Sequence, residues 1–203
     1  MTPIDHVVFD IGHILVHYDP TIPFQRIIPD DAERQWFFDH VCTSAWNIEQ
    51  DRGRHWEDAE AELIAIYPDR SEQIRAFRAH WPEMVPRSIE ANVAIFEQML
   101  ADGVDVTLLT NFAADTFLEA QEKFPFLKKG RGVTVSGRVK LIKPDPAIFE
   151  IHNDAFGLNP GRTLFIDDSL PNIEAARAHG WHGIHLPPGE DLVSALAQFD
   201  IRK

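Results

Sequence analysis

The first apolar run of the chain is short and unbroken: His6-Val7-Val8-Phe9, stopping at Asp10-Ile11-Gly12. A β-branched and aromatic run without polar alternation predicts a buried parallel strand that ends in a turn. Residues 14–18 predict a second short strand folding back, closed by Asp19-Pro20. From about Thr21 to Arg87 the period changes. Apolar residues recur at helical spacing over 34–41, 56–66 and 74–84, with Pro23, Pro29, Gly53, Pro68 and Pro82 between them, so an insert of three or four helices is expected. Ser88 is the expected N-cap of a helix ending near Leu100, with Gly103 as its stop. Strands are then predicted over 104–110, 132–136, 163–166 and 183–186, and helices over 114–123, 145–156 and 171–178. Gln198 to Lys203 reads as a tail. Alternation of strand and helix predicts an α/β fold with a mostly parallel sheet and helices on both faces.

Composition narrows the setting. Of 203 residues 44% are hydrophobic, enough for a well-buried core. No apolar stretch reaches the roughly 18 residues of a spanning helix. The opening residues, MTPIDHVVFD, do not resemble a secretory leader. Cys42 is the single cysteine, which excludes an intrachain disulfide. A soluble cytoplasmic protein with no membrane partner is the expectation. The formal net charge of -13 repels nucleic acid, so no nucleic-acid partner is expected. That charge also repels a phosphorylated substrate. An anion site here has to be assembled locally from basic groups, a metal ion or helix N-termini.

Residues suited to that task stand at the predicted strand ends. Asp10 follows the first strand, Thr110-Asn111 end the second core strand, Lys143-Pro144 follow the third, and Asp167-Asp168 end the fourth. In a parallel sheet, carboxyl ends share one rim, where ligands bind. Carboxylates gathered there repel one another unless a divalent cation with hard oxygen ligands joins them. Magnesium and Lys143 together would make an anion site inside an acidic protein. A carboxylate can then attack phosphorus as a nucleophile, leaving an aspartyl-phosphate for water to hydrolyse. The Thr110 hydroxyl can donate to a phosphate oxygen, and Asn111 can add a backbone N–H if the next helix points its N-terminus there.

The order Val-Val-Phe-Asp, Leu-Leu-Thr-Asn, Lys-Pro-Asp and Phe-Ile-Asp-Asp-Ser-Leu-Pro-Asn resembles the four motifs of the haloacid dehalogenase superfamily, over nearly the whole chain. The resemblance implies a Rossmann-like three-layer core (residues 1–18 and 88–203) with an inserted α-helical cap (residues 19–87). It implies a magnesium-dependent phosphohydrolase acting on a small-molecule phosphate ester. Carried over by position, Asp10 is nucleophile and metal ligand, Gly12 gives a backbone carbonyl to the metal, and Asp168 is the other metal ligand. Thr110 and Asn111 hold phosphate. Lys143 bridges Asp10 and phosphate, and Asp167 bonds to Lys143 or a metal-bound water.

One position departs from the pattern. Phosphatases of the superfamily usually carry an aspartate two residues after the nucleophile as general acid and base, and this chain has Gly12 there. A subgroup with an Asp-x-Gly-Asn form is similar, and the nearest resemblance is to the α-D-glucose-1-phosphate phosphatase group, which favours a sugar phosphate. Loss of acid–base help costs about 10²–10⁴-fold, less where the leaving group is good. His13 is a candidate substitute, with a side chain that titrates near neutrality. Two other functions stay open: a 2-haloacid dehalogenase and a catalytically silent binding module. The Asp167-Asp168 pair argues against the first, because metal-free attack has no use for the extra charge. A phosphomutase is a weaker rival, since it needs the acid–base residue absent at Gly12.

Secondary candidates lie around these motifs. Asn172 is placed to orient Asp167-Asp168 or to sit on a helix surface. The polar segment 46–54 reads as a loop between insert helices, with Glu49, Gln50 and Arg52 as candidate substrate ligands. Trp36, Phe37, Phe38, Trp56 and Trp81 read as insert core. Oligomeric state is not legible in the residues.

Overall fold

The structure is a computed structural model and describes residues 2–202. Its strands are β1 (Thr2–Ile4), β2 (His6–Phe9), β3 (Asp105–Thr110), β4 (Val133–Val135), β5 (Thr163–Asp167), β6 (His182–His185) and β7 (Phe199–Ile201). Between β2 and β3 lie α1 (Thr21–Ile27), α2 (Asp31–His40), α3 (Ser44–Asp51), α4 (Trp56–Ile66), α5 (Ser71–Ala79), α6 (Trp81–Met84) and α7 (Glu90–Ala101). The remaining helices are α8 (Ala114–Lys123), α9 (Ser136–Val139), α10 (Pro146–Phe156), α11 (Leu170–Ala178) and α12 (Leu192–Leu196).

Five parallel strands form the main sheet in the order β4-β3-β2-β5-β6. The chain starts at the centre, winds out through β3 to β4, and returns to the other side of β2 with β5 and β6. Phe9 stands opposite Leu108 on one side and Ile166 on the other. Every carboxyl end therefore opens on one rim, with the switch in winding direction at β2, the position where such sheets bind ligands.

The period-2 alternation of β2 sorts its side chains between two layers. Val7 and Phe9 join one apolar cluster, and Val8 joins another with Leu109, Phe149 and Phe165. Phe9 is fully buried and meets Phe96 edge-on at 5.6 Å. Burying such a side chain stabilises by about 1.5–3 kcal/mol. The first cluster continues into Phe24, Phe37, Trp46 and Phe77 of the inserted helices, so insert and sheet share one apolar core.

Four local expectations are corrected. Residues 14–18 form no strand, only isolated bridges from Val16 to Gly12 and to Ser88. His13 takes φ 56°, and Leu15 and Val16 both donate N–H to the Ile11 carbonyl, so these residues are spent in a tight turn. Ser88 caps nothing: α7 begins at Glu90 after Ile89, whose N–H is held by Leu15 O at 2.8 Å. Gln198 to Arg202 is no loose tail, because β7 pairs in parallel with β1, an edge pairing between chain ends that no local pattern announces; Lys203 lies outside the described residues. The segment 46–54 is mostly helix. α3 runs through it, and its start is capped by Thr43, which accepts the Trp46 N–H.

Asp145 caps α10 by accepting from Ala147, Pro146 fills its first turn, and Gly157 ends it at φ 59°, in the left-handed region that suits glycine. No helix among the described residues is long and apolar enough to cross a membrane.

Candidate active site

The floor of the site is the carboxyl rim of β2, β3 and β5. Asp10 is the first residue past β2, and its N–H is held by Ile166 O at 2.9 Å. Asp167 ends β5 and is fully buried. Lys143 comes from the loop after α9 and places its ammonium between them, 2.8 Å from Asp10 Oδ1 and 2.7 Å from Asp167 Oδ2. The contact with Asp167 is an aligned hydrogen bond. Asp10 Oδ1 takes the lysine as an ion contact and accepts no well-aligned hydrogen bond. Lys143 Nζ also donates to Leu109 O at 3.1 Å, and its peptide bond to Pro144 is cis.

The remaining bonds of Asp167 make it a fixed support. Its Oδ1 accepts the Ser169 N–H at 2.8 Å, and Asn172 Nδ2 reaches both carboxylate oxygens at 3.1 Å. Asn172 thus orients Asp167 and is not a surface residue. Asp168 is half-buried on the cavity side, with its carbonyl held by His185 Nε2 at 2.9 Å.

Electrostatics follow from burial. Desolvation pushes the Asp10 carboxyl up to about 7; the Lys143 ammonium opposes this and the charge of Asp167 adds to it. Desolvation acts against the Lys143 charge, but Asp10 and Asp167 outweigh it and hold the amine above its ordinary value. Asp168 is raised by burial and by Asp167. Ligand atoms of Asp10, Asp167 and Asp168 lie within 4.8 Å of one another. One ammonium among these carboxylates leaves excess negative charge in a buried place, a demand that a divalent cation meets.

Above this floor opens a cavity of about 440 Å³. Asp10, Gly12, Thr110, Asn111, Lys143 and Asp168 all line it, so the residues singled out at separate strand ends do converge. Asn111 takes on a further role through its side chain. Its side chain is engaged with the Lys143 backbone, and α8 starts only at Ala114, after an intervening loop. His13 also lines the cavity, its ring 6.2 Å from that of Tyr18.

The inserted helices supply the upper wall, and the residues of α3 that line it are not the candidates Glu49, Gln50 and Arg52. Asn47, Ile48 and Asp51 face the cavity. Glu49 pairs instead with Arg52, and Gln50 is buried, bonded to Trp46 O and Arg54. On a helix, positions 47 and 48 each lie about one turn before 51, so both neighbour it on one face. Thr43 as an N-cap was the signal that could have revealed it. Among the aromatics, Phe37 is core, Trp36 is 40% exposed, and Trp56 and Trp81 line the cavity.

A model of the haloacid dehalogenase-like hydrolase family matches residues 4–180. The chain belongs to this family. Within it, the hydrolase is 29% identical over 93 residues to a sesquiterpene phosphatase of Aspergillus oryzae, a match covering 46% of this chain and 47% of that protein. The chain spans less than half the length of the curated relatives it matches. A family enzyme of Bacteroides thetaiotaomicron, solved in complex with magnesium and inorganic phosphate, is similar in fold with a TM-score of 0.73, at 21% identity, covering 94% of this hydrolase and 98% of that chain. The L-2-haloacid dehalogenase of Xanthobacter autotrophicus is similar at a TM-score of 0.65 and 15% identity, covering 89% and 76%.

Proposed function

We propose that this hydrolase is a magnesium-dependent phosphohydrolase that acts on a small phosphate ester through an aspartyl-phosphate on Asp10. The observation that carries the reading is the Lys143 ammonium held between Asp10 and Asp167 on the cavity floor. A lysine so fixed neutralises part of the charge of an incoming phosphate, opposes the burial that favours protonation of Asp10, and aims its carboxylate. Phosphate-complexed and phosphatase relatives add support.

The donor set fits magnesium: hard oxygens from Asp10 and Asp168, together with the Gly12 carbonyl, in a place with excess buried negative charge. When bound, the ion supplies charge neutralisation at the transferring phosphoryl group. The protein's own residues do the rest. Asp10 attacks phosphorus. The Thr110 hydroxyl and the Asn111 N–H hold phosphate oxygens, and the Asn111 side chain keeps Lys143 in place. The inserted helices, residues 19–87, act as a cap that limits water and selects the ester.

For the organic part of the ester, the wall favours an apolar group over the sugar suggested by resemblance. Val16, Ile48, Trp56, Trp81, Val85 and Phe112 crowd it. The Aspergillus relative is named for a sesquiterpene, an apolar skeleton. The test is phosphate release from prenyl, aryl and hexose phosphates, each with magnesium, with chelator, and with Asp10→Asn. Release lost in both controls, and faster from apolar esters, is expected. A ranking led by hexose phosphates restores the sugar reading. Release from no ester, with turnover of 2-haloacids, moves the function to the dehalogenase.

A further inference from the structure

The family's usual proton-transfer carboxylate is absent at Gly12, yet a carboxylate does stand in the cavity from the opposite side. Asp51 is the last residue of α3, and it lines the same cavity as Asp10, Lys143 and Asp168. A phosphate seated on the floor directs its ester oxygen toward the upper wall, where the organic group has room. We propose that Asp51 gives its proton to the leaving-group oxygen and takes one back from the attacking water. This deepens the phosphohydrolase reading and rests on it.

The end of α3 is tied to the core, which is what a proton donor needs to hold its aim. Ser136 Oγ donates to Asp51 O at 2.6 Å, and the same hydroxyl accepts the Phe112 N–H at 2.8 Å. The Asp51 carboxylate itself accepts the backbone N–H of Ala113. Phe112 and Ala113 sit in the loop that continues from Thr110, so that loop and the proposed donor are tied together, directly at Ala113 and through Ser136 at Phe112. Gly53 makes the anchoring possible: at φ 102°, its α-carbon lies so close to Gly137 that an added β-carbon would stand 3.0 Å from that carbonyl. Supporting this placement, burial lifts the Asp51 carboxyl to about 7, with the Ala113 N–H opposing and the charge of Asp10 adding. His13 also lines the cavity, from the turn beside Tyr18, and is the competing donor.

The step balances. The Asp10 carboxylate forms a bond to phosphorus while the bond from phosphorus to the ester oxygen breaks. That oxygen takes the Asp51 proton and leaves as the alcohol. Water then attacks the aspartyl-phosphate, gives one proton to the Asp51 carboxylate, and departs as part of inorganic phosphate, restoring Asp10.

The experiment compares kcat/KM for phenyl phosphate and p-nitrophenyl phosphate, since this ratio reports the step that expels the leaving group. Asp51→Asn is expected to lose about 10²–10⁴-fold on phenyl phosphate and less than about tenfold on p-nitrophenyl phosphate. Asp51→Ala with added imidazole, whose imidazolium form is an external acid near neutral pH, is expected to regain phenyl phosphate turnover selectively. Denaturant unfolding of each variant accompanies the rates, and if Asp51→Asn does not fold, the Asp51→Ala rescue decides. Equal losses on both esters without rescue, no loss on either, or the selective loss appearing in His13→Ala instead, each overturn the proposal while metal-dependent release by the wild type keeps the phosphohydrolase reading. No release by the wild type from any ester overturns both.

Discussion

Asn111 and Lys143, far apart in sequence, are joined by a reciprocal pair of hydrogen bonds: Asn111 Oδ1 accepts the Lys143 N–H at 2.7 Å, and Asn111 Nδ2 donates to Lys143 O at 3.0 Å. The amide therefore clamps the loop that delivers the ammonium. Asn111→Ala removes both bonds and leaves the lysine's backbone groups unmatched. Stability is expected to fall by about 1–3 kcal/mol in urea unfolding, and turnover to fall with it as Lys143 loses its aim. Asn111→Ala with wild-type turnover would mean that the clamp has no part in the site.

Lys143 neutralises carboxylates that have almost no access to water; Asp167 is 0% exposed. Lys143→Met removes the cation and keeps the bulk. Breaking such a buried pair from one side costs about 3–5 kcal/mol, and phosphate release is expected to vanish. The double variant Lys143→Met, Asp167→Leu is expected to recover stability but not activity. Recovery of neither in denaturant titrations would mean that the lysine's packing, not its charge, matters.

An added β-carbon at Gly12 meets no heavy atom within 4 Å, and the residue lines the cavity. Gly12→Asp is therefore expected to fold, and to supply the acid–base carboxylate of the family pattern. In an Asp51→Asn background it is expected to restore turnover of phenyl phosphate by about 10²-fold or more. Absence of any gain in a folded Gly12→Asp, Asp51→Asn protein would indicate that proton transfer does not limit this enzyme.

A buried polar chain crosses the amino-terminal half of the sheet: Asp105 to His6 at 2.8 Å, His6 to Thr107 at 2.9 Å, Thr107 to His152 at 2.8 Å, and His152 to Thr134 at 2.8 Å. Burial, with minor help from the charges of His6, Arg131 and Lys143, holds the pKa of His152 down near 3 from an ordinary 6.5. Between those values the unfolded chain binds a proton that the folded protein refuses. Stability from this residue is thus complete above pH 6.5 and lost as pH falls, by up to about 1.4 kcal/mol per pH unit. Asp10 and Asp51, both raised to about 7, act in the opposite direction, so the residue has to be isolated by comparison. With chelator present, His152→Gln is expected to lose less stability than the wild type between pH 6.5 and pH 4. Parallel curves would show that His152 does not titrate on unfolding.

The parallel sheet and its rim were legible because their signals are local. Val7-Val8-Phe9, Leu108-Leu109 and Leu164 to Ile166 are apolar runs, and each stops at a polar residue. Parallel pairing then brings Asp10, Thr110 and Asp167 to one edge with no further information. What the tertiary structure decided was the use made of side chains whose partners are distant. Asn111 became a clamp because Lys143 arrived beside it. The chain ends became β1 and β7 because they met at an edge. Asp51 reached the cavity because α3 was anchored on Ser136 and Ala113. The sequence by itself determined the parallel sheet and the gathering of Asp10 and Lys143 at its rim; only the packed molecule decided what stands opposite them, since a helix period says which residues share a face but not what that face meets.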